Sequence, residues 1–347
     1  MTENKSGSKL KKGLLTAAVY IVAVVVLVLT GARLFFRVPV RDYYKASEKA
    51  FVIPGLSETM IPQGLDYLES EGLYLMGGYQ KDGSPSRVYL IEKQTGKTRG
   101  YVLLGDKNGN GMAIHAGGLA ANGDYLYVGG NEDPFVYVFK LSDVLSAGNG
   151  QIVKTLGTFD TKYGDYEIRA DFMCFYGGKF FVGEYYREPN FKTPDSHSYK
   201  CPSGETNRAL MFSYEVSGSD DAVFGLDPVA CEVYSLPNQV QGLAVKDNKM
   251  WISMSYGTEK SVIVCYDVFG KSAGVFDPKA GSAELFVLYK GTLTGEFKAP
   301  PMSEEIIFVD GKMLIMCESA SVKYIFGNFT GGRWCYATDV GKLVKQQ

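Results

Sequence analysis

The sequence predicts an all-β protein, a five-bladed β-propeller preceded by one N-terminal transmembrane helix. Three observations lead there: a strand–turn–strand unit that recurs five times, a composition rich in glycine (41) and in tyrosine and phenylalanine (24 and 20), and a single long apolar run near the start. Gly, Asn, Asp and Ser turns between short apolar strands are the mark of β-hairpins. At 347 residues the chain is long enough for one large all-β unit.

The apolar run is GLLTAAVYIVAVVVLVLTGA, Gly13 to Ala32, 20 residues without a charge. At about 1.5 Å rise per residue it matches the roughly 30 Å hydrocarbon core of a bilayer. No face is polar, as a buried helix of a globular domain would require. A cleaved signal peptide is the rival, but the run is long for one and its small-residue end leads straight into RLFFR. An uncleaved signal anchor is expected, with residues 1–12 as a basic cytoplasmic tail, 13–32 as the span, 33–49 as a linker and 50–347 as the propeller. Lysines and arginines flank the span on both sides, so the positive-inside count does not orient it. The short tail favours a propeller outside the cytoplasm, in a single-pass protein of the cell membrane.

The first 49 residues carry a net charge of +6 and the remainder −8. An acidic domain argues against nucleic acid as a partner, because phosphate binding needs clustered basic groups. Six cysteines permit disulfides and demand none. The pair to watch is Cys201 with Cys231, since Cys201 lies in a polar insertion.

The five units are GLDYLESEGLYLMGGY, GLAANGDYLYVGGN, FMCFYGGKFFVGEYY, GLAVKDNKMWISMSYG and EIIFVDGKMLIMCESA. Their first core residues, Leu65, Leu119, Met173, Leu243 and Ile306, stand 54, 54, 70 and 63 positions apart. That spacing suits four-stranded blades with insertions in the third and fourth units; six blades fit less well. Third and fourth strands follow as SRVYLIE and TRGYVLL in unit one, FVYVFKLSDV and QIVKTLGTF in unit two, and SVIVCYDVF and ELFVLYKG in unit four. Too few residues follow Ile306 for a whole blade, so KAFVIPG near Ala50 is expected to supply the outer strand of the last one and close the ring. The polar insertion Tyr186–Arg208 reads as a long surface loop, and His197 within it as an exposed loop histidine.

The elements PQGLDY, HAGGLA, VQGLAV and APPMSEEI resemble those on the inner strands of secreted or membrane-anchored bacterial propeller proteins, over roughly residues 60–345. The resemblance implies the fold and carries no activity with it.

In a propeller the start of each first strand and the end of each second strand meet on one face. The first set gives Gln63, His115, Arg169 with Asp171, Gln241, and Glu304 with Glu305. The second gives Tyr79, Asn131, Glu184 with Tyr185, Ser255 with Tyr256, and Glu318 with Ser319. A ligand site at the channel mouth is expected from Gln63, Tyr79, His115, Asn131, Asp171, Glu184, Gln241, Tyr256, Glu304 and Glu318; a purely structural polar network is the alternative. Asp171, Glu184, Glu304, Glu318 and Asn131 would suit a calcium ion, and Tyr79, Tyr185 and Tyr256 would suit stacking on a sugar. His115 reads either as a general base held by Asp171 or as a turn-closing residue bonded to a neighbouring blade's backbone. A cysteine nucleophile has no evident partner in the sequence, so covalent acyl transfer through one is disfavoured. The functional expectation is a module that binds a small polar ligand, a glycan or an envelope protein. The alternative is a hydrolase or lyase using His115, Asp171 and Glu304.

Overall fold

The structure is a computed structural model that describes residues 3–130 and 133–344. Helix Glu3–Arg37 contains the apolar run, and the side chains of that run pack against nothing else in the chain. A short turn and the helix Arg41–Lys45 then bury Val40 and Tyr43 in the β domain and lead into the strand Ser47–Val52.

Five antiparallel blades of four strands follow. Blade 1 is Met60–Leu68, Leu73–Gln80, Arg87–Glu92 and Thr98–Gly105; blade 2 is Leu119–Asn122, Tyr125–Gly129, Phe135–Lys140 and Ile152–Asp160. Blade 3 is Phe172–Tyr176, Lys179–Gly183, Ala209–Val216 and Leu226–Leu236; blade 4 is Val240–Lys246, Lys249–Met254, Ser261–Tyr266 and Leu293–Ala299. Blade 5 takes Ser303–Val309, Lys312–Cys317 and Trp334–Thr338 from the C-terminal part, and its outer strand is Ser47–Val52, paired antiparallel with Trp334–Thr338. The ring therefore closes as the sequence predicts. The first strands of the blades touch in cyclic order, 1 to 5 and back to 1. At the periphery a short parallel pairing of Leu103–Gly105 with Ile152–Lys154 also joins blades 1 and 2.

The core divides accordingly into five clusters, each shared by two adjacent blades. Between blades 2 and 3, for instance, Tyr127, Phe159, Phe180, Phe212 and Tyr214 are fully buried. The alternation along the strands produces this: every inward position meets the face of the next blade, as in any face-to-face packing of sheets.

One strand departs from the expectation. Glu284–Val287, read from sequence as the outer strand of blade 4, pairs parallel with Leu226–Leu236 and extends blade 3 instead. Phe286 stacks on Tyr234 there, with ring centroids 5.1 Å apart. The outer strand of blade 4 is the next segment, Leu293–Ala299, which buries Phe297 and Ala299 and leaves Glu296 and Lys298 exposed. The residues LSDV, read as the end of a strand in blade 2, begin the short helix Leu141–Ser146. Cys201 and Cys231 are both free thiols: Cys201 is buried in the core between blades 2 and 3, and the Cys231 sulfur lies 3.3 Å from Ser213 Oγ.

Near the axis the inner strands approach so closely that side chains are excluded. A Cβ on Gly64 would stand 2.8 Å from the Leu119 nitrogen, and one on Gly242 would stand 2.6 Å from the Glu304 carbonyl oxygen. Two carboxylates bridge the strands. Asp66 accepts from Tyr67 N at 2.8 Å and from Ala121 N of blade 2 at 2.7 Å. Glu305, fully buried, accepts from Leu243 N of blade 4 at 2.8 Å, Ile306 N at 3.2 Å and Met173 N of blade 3 at 3.5 Å. Replacing Glu305 with Ala leaves these amides without that acceptor. The expected loss is about 3 kcal/mol in urea unfolding, since one buried unsatisfied group costs ~1–3 kcal/mol. By contrast, Glu215→Ala at the exposed end of a blade 3 strand should cost under ~0.5 kcal/mol in the same measurement.

Candidate functional site

The first strands of blades 1, 4 and 5 share an irregularity at the same place. Their pairing with the second strand shifts between Pro62 and Leu65, between Val240 and Gly242, and between Ser303 and Ile306. An extra residue in a strand bends it and re-aims its side chains. The residues released are Gln63, Gln241 and Glu304, and all three line one cavity of about 570 Å³ at the mouth of the ring.

His115, Arg169 and Asp171 reach the same cavity from the segments that enter blades 2 and 3, and Tyr185, Ser255, Tyr256 and Glu318 from the ends of second strands. Seven of the ten expected ligand residues thus line it: Gln63, His115, Asp171, Gln241, Tyr256, Glu304 and Glu318. Tyr79 stands behind His115, stacked at 4.7 Å between centroids, and its hydroxyl accepts from Lys323 Nζ at 2.6 Å. Glu184 is turned away. Its Oε1 accepts from Leu210 N at 2.9 Å and lies 2.7 Å from His197 Nδ1, and both side chains are buried. Asn131 lies outside the described residues.

His197 is therefore no exposed loop residue. The insertion folds back on the domain through the turn Asp195–His197 and the two short strands Tyr199–Lys200 and Thr206–Asn207, because the buried Glu184 supplies an acceptor for the ring. The same insertion sends Asn190 and Phe191 to the cavity. Arg187 lies 3.2 Å over the Tyr256 ring, and Phe191 meets Tyr185 edge-on at 5.5 Å. Repeat spacing could not reveal these residues.

Neither sequence reading of His115 holds in its first form. Among the described residues no group hydrogen-bonds its ring, so it does not close a turn, and Asp171 is engaged elsewhere. Asp171 Oδ2 accepts from Tyr185 N at 2.7 Å and lies 3.7 Å from Arg169 Nε, while Arg169 donates to Tyr185 O at 2.8 Å. Burial, with the Lys323 and Arg169 charges, pushes the His115 pKa down to about 4. Burial raises Asp171 to about 6 against the pull of Arg169 and the Tyr185 amide.

The opposite wall holds a paired carboxyl system. Glu318 accepts from Gln63 Nε2 at 3.2 Å and from the Tyr324 hydroxyl, and lies 3.9 Å from Lys323 Nζ. Glu304, 3% exposed, has no hydrogen-bond partner among the described residues. Burial and the neighbouring Glu318 hold its pKa well above the usual carboxylate range, with Lys323 opposing. Burial also raises Glu318, against Lys323, Tyr324 and Gln63. Burial disfavours the charge on Lys323, yet Glu318 and Tyr79 lift its pKa above the ordinary lysine value. Burial and Glu318 thus both favour the protonated form of Glu304, beside Glu318 and Lys323, whose charges offset each other.

The carboxylates do not converge as a calcium site would need. Among the described residues no three of His, Cys, Asp and Glu come together, because Glu184 is spent on His197, Asp171 on Arg169 and Glu318 on Lys323.

No family model and no curated protein matches the chain. Solved structures with a similar backbone include the glutaminyl cyclase of Myxococcus xanthus, 11% identical over 86% of this chain and 95% of that one, TM-score 0.42. Others are the Cps50 (Swd1) β-propeller domain of Myceliophteria thermophila, 9% identical over 78% and 96%, TM-score 0.36, and a putative oxidoreductase (glucose dehydrogenase) of Thermus thermophilus, 15% identical over 78% and 79%, TM-score 0.37. Enzymes and non-enzymes stand side by side among them, so the chemistry has to be argued from this chain's own residues.

With two histidines in the chain, the ring resonances can be followed by NMR. His115 should stay neutral from pH 8 down to about 5 and titrate near 4. Its folded pKa is below the unfolded value of about 6.5, so its contribution to stability is present above that value and is lost as pH falls toward 4. Lys323→Met should move the titration upward by removing a neighbouring positive charge. An unchanged midpoint in that variant would contradict the placement of Lys323.

Proposed function

We propose that the chain is a membrane-anchored, extracytoplasmic propeller that binds a small polar ligand in the cavity at its channel mouth. The observation that carries this reading is Glu304: a carboxyl 3% exposed, its pKa raised by burial and by Glu318, facing a cavity of about 570 Å³ without a hydrogen-bond partner among the described residues. Its oxygens open onto the cavity and are not among the sealed, unpartnered polar atoms of the domain, so a ligand or water in the cavity can serve as their partner. Gln241 and His115 present further polar atoms to the same space, and Arg169 adds a fixed cation on the far side.

Tyr256, Phe191 and Tyr185 form an aromatic wall, with Tyr256 held flat by Arg187. A wall of rings opposite neutral and charged hydrogen-bonding groups suits a sugar ring, which offers hydroxyls at its edge and C–H groups at its faces. A monosaccharide unit of a glycan is the ligand class this arrangement favours. A single ring fits the volume.

A second reading, a hydrolase or lyase, is favoured by one feature. Glu304 and Glu318 are neighbouring carboxyls with unequal surroundings, Glu304 unbonded and Glu318 held by Gln63, Tyr324 and Lys323. Such pairs divide acid and base roles.

Both are tested by thermal unfolding of the domain against a panel of monosaccharides and short glycans. A ligand at 100 times its Kd should stabilise by about 2.7 kcal/mol. Glu304→Gln should weaken binding about tenfold, or ~1.4 kcal/mol, and Tyr256→Ala by a similar amount. A ligand that stabilises the native protein and Glu304→Gln equally sinks the assignment of the site. Recovery of chemically altered ligand, abolished in Glu304→Gln, would favour the enzyme.

A further inference from the structure

The segment 318–333 joins the second and third strands of blade 5 and faces two ways. Inward it delivers Lys323 and Tyr324 to the cavity. Outward it carries Ile325, 97% exposed, with Val322 exposed beside it. An isoleucine held open to water at the tip of a loop needs a reason, and this one has a neighbour that supplies it.

Phe326 stacks on Phe36, the penultimate residue of the N-terminal helix, with centroids 5.7 Å apart. The Tyr44 hydroxyl donates to the Thr330 carbonyl at 2.6 Å, and Arg37 lies 5.3 Å over the Tyr44 ring. The loop is thus fixed to the point where the chain leaves the apolar helix. Phe36 follows Ala32 by four residues, about 6 Å along a helix. The headgroup layer is roughly 5–7 Å deep on each side of the hydrocarbon. Phe36 and Phe326 therefore fall within that layer when the helix spans a bilayer.

The surroundings have the composition of such a boundary. Leu34 and Phe35 on the helix end and Val38 just after it are exposed, while Phe36 packs on Phe326 and Tyr43 on Tyr44. Arg41 and Lys45 project into solvent nearby, and Lys81 Nζ donates to the Val322 carbonyl at 3.3 Å. Aromatic and basic side chains around an apolar tip are what the interface selects. The Phe326–Phe36 stack joins the loop to the helix end, so an occupant that covers the exposed helix end lies beside the loop tip.

We propose that 318–333 is a second membrane contact, seating Val322 and Ile325 in the headgroup boundary of the bilayer that the N-terminal helix crosses. The rim of the cavity that bears Lys323 and Tyr324 then faces the lipid surface, and its ligand is one presented at that surface. The inference rests on the reading of residues 13–32 as a membrane span.

The test uses the full chain in nanodiscs of phosphatidylcholine with phosphatidylglycerol, spin-labelled at single introduced cysteines, Ile325→Cys, Val229→Cys and Val25→Cys. Val229 is an exposed residue at the far end of blade 3, and Val25 is in the helix. The labelled unsubstituted chain gives the background from its own cysteines, four of which are buried. The ratio of oxygen to nickel-chelate accessibility at 325 is expected several-fold above that at 229 and toward that at 25. A ratio at 325 equal to that at 229, with 25 in lipid, overturns the inference and leaves the span standing. Aqueous accessibility at 25 overturns the span and the inference together. A label at 325 shielded from both reagents marks a protein partner on the loop, and also overturns it.

Discussion

Five sheets can meet around an axis only if their first strands come close enough to bond to one another, and Glu305 is where that condition is met most fully. Its carboxyl touches backbone amides in three blades, its own and blades 4 and 3. Desolvation alone would make such a group costly, and the three amides offset that cost by donating to it. Everything peripheral follows from the spacing it holds: the glycines that let the strands approach, the aromatic clusters that fill the widening gaps between blades, and the mouth that opens where the strands begin to diverge.

The site grows out of the same geometry. Strand irregularities in blades 1, 4 and 5 turn Gln63, Gln241 and Glu304 from the axis into the mouth, while the neighbouring residue Glu305 stays inside. Adjacent glutamates therefore have opposite duties. One satisfies the protein, and the other remains available. The remaining walls come from outside the repeat, from the insertion of blade 3 and the loop of blade 5, which add Asn190, Phe191, Lys323 and Tyr324.

The repeat made the ring legible, because hairpins with a common spacing and a missing last strand leave few topologies. It also grouped most of the residues that line the cavity, since strand starts and ends converge by geometry. It failed where identity of a strand depends on a partner: ELFV reads from sequence as the outer strand of blade 4, and its parallel pairing with Leu226–Leu236, with Phe286 stacked on Tyr234, puts it in blade 3. Glu184 and His197 show a similar limit. Each looked unattached in the sequence, one as a site residue and the other as a loop residue, and they are partners of each other. Lys323 and Tyr324 lie in an irregular loop with no periodicity to place them.

The strand that closes the ring sits next to the helix in the chain, and its Ser47 pairs with Thr338, 291 positions further on. Long closures of this kind are slow and costly in chain entropy. During synthesis the strand Ser47–Val52 is made long before its partner and can pair only when Trp334–Thr338 has been made. The finished ring also carries load unusually. A pull between the domain and the helix acts first on the Phe36–Phe326 and Tyr44–Thr330 contacts and the buried Val40 and Tyr43, and then on the outermost strand of blade 5, so the seam of the ring lies directly behind these contacts in the line of force.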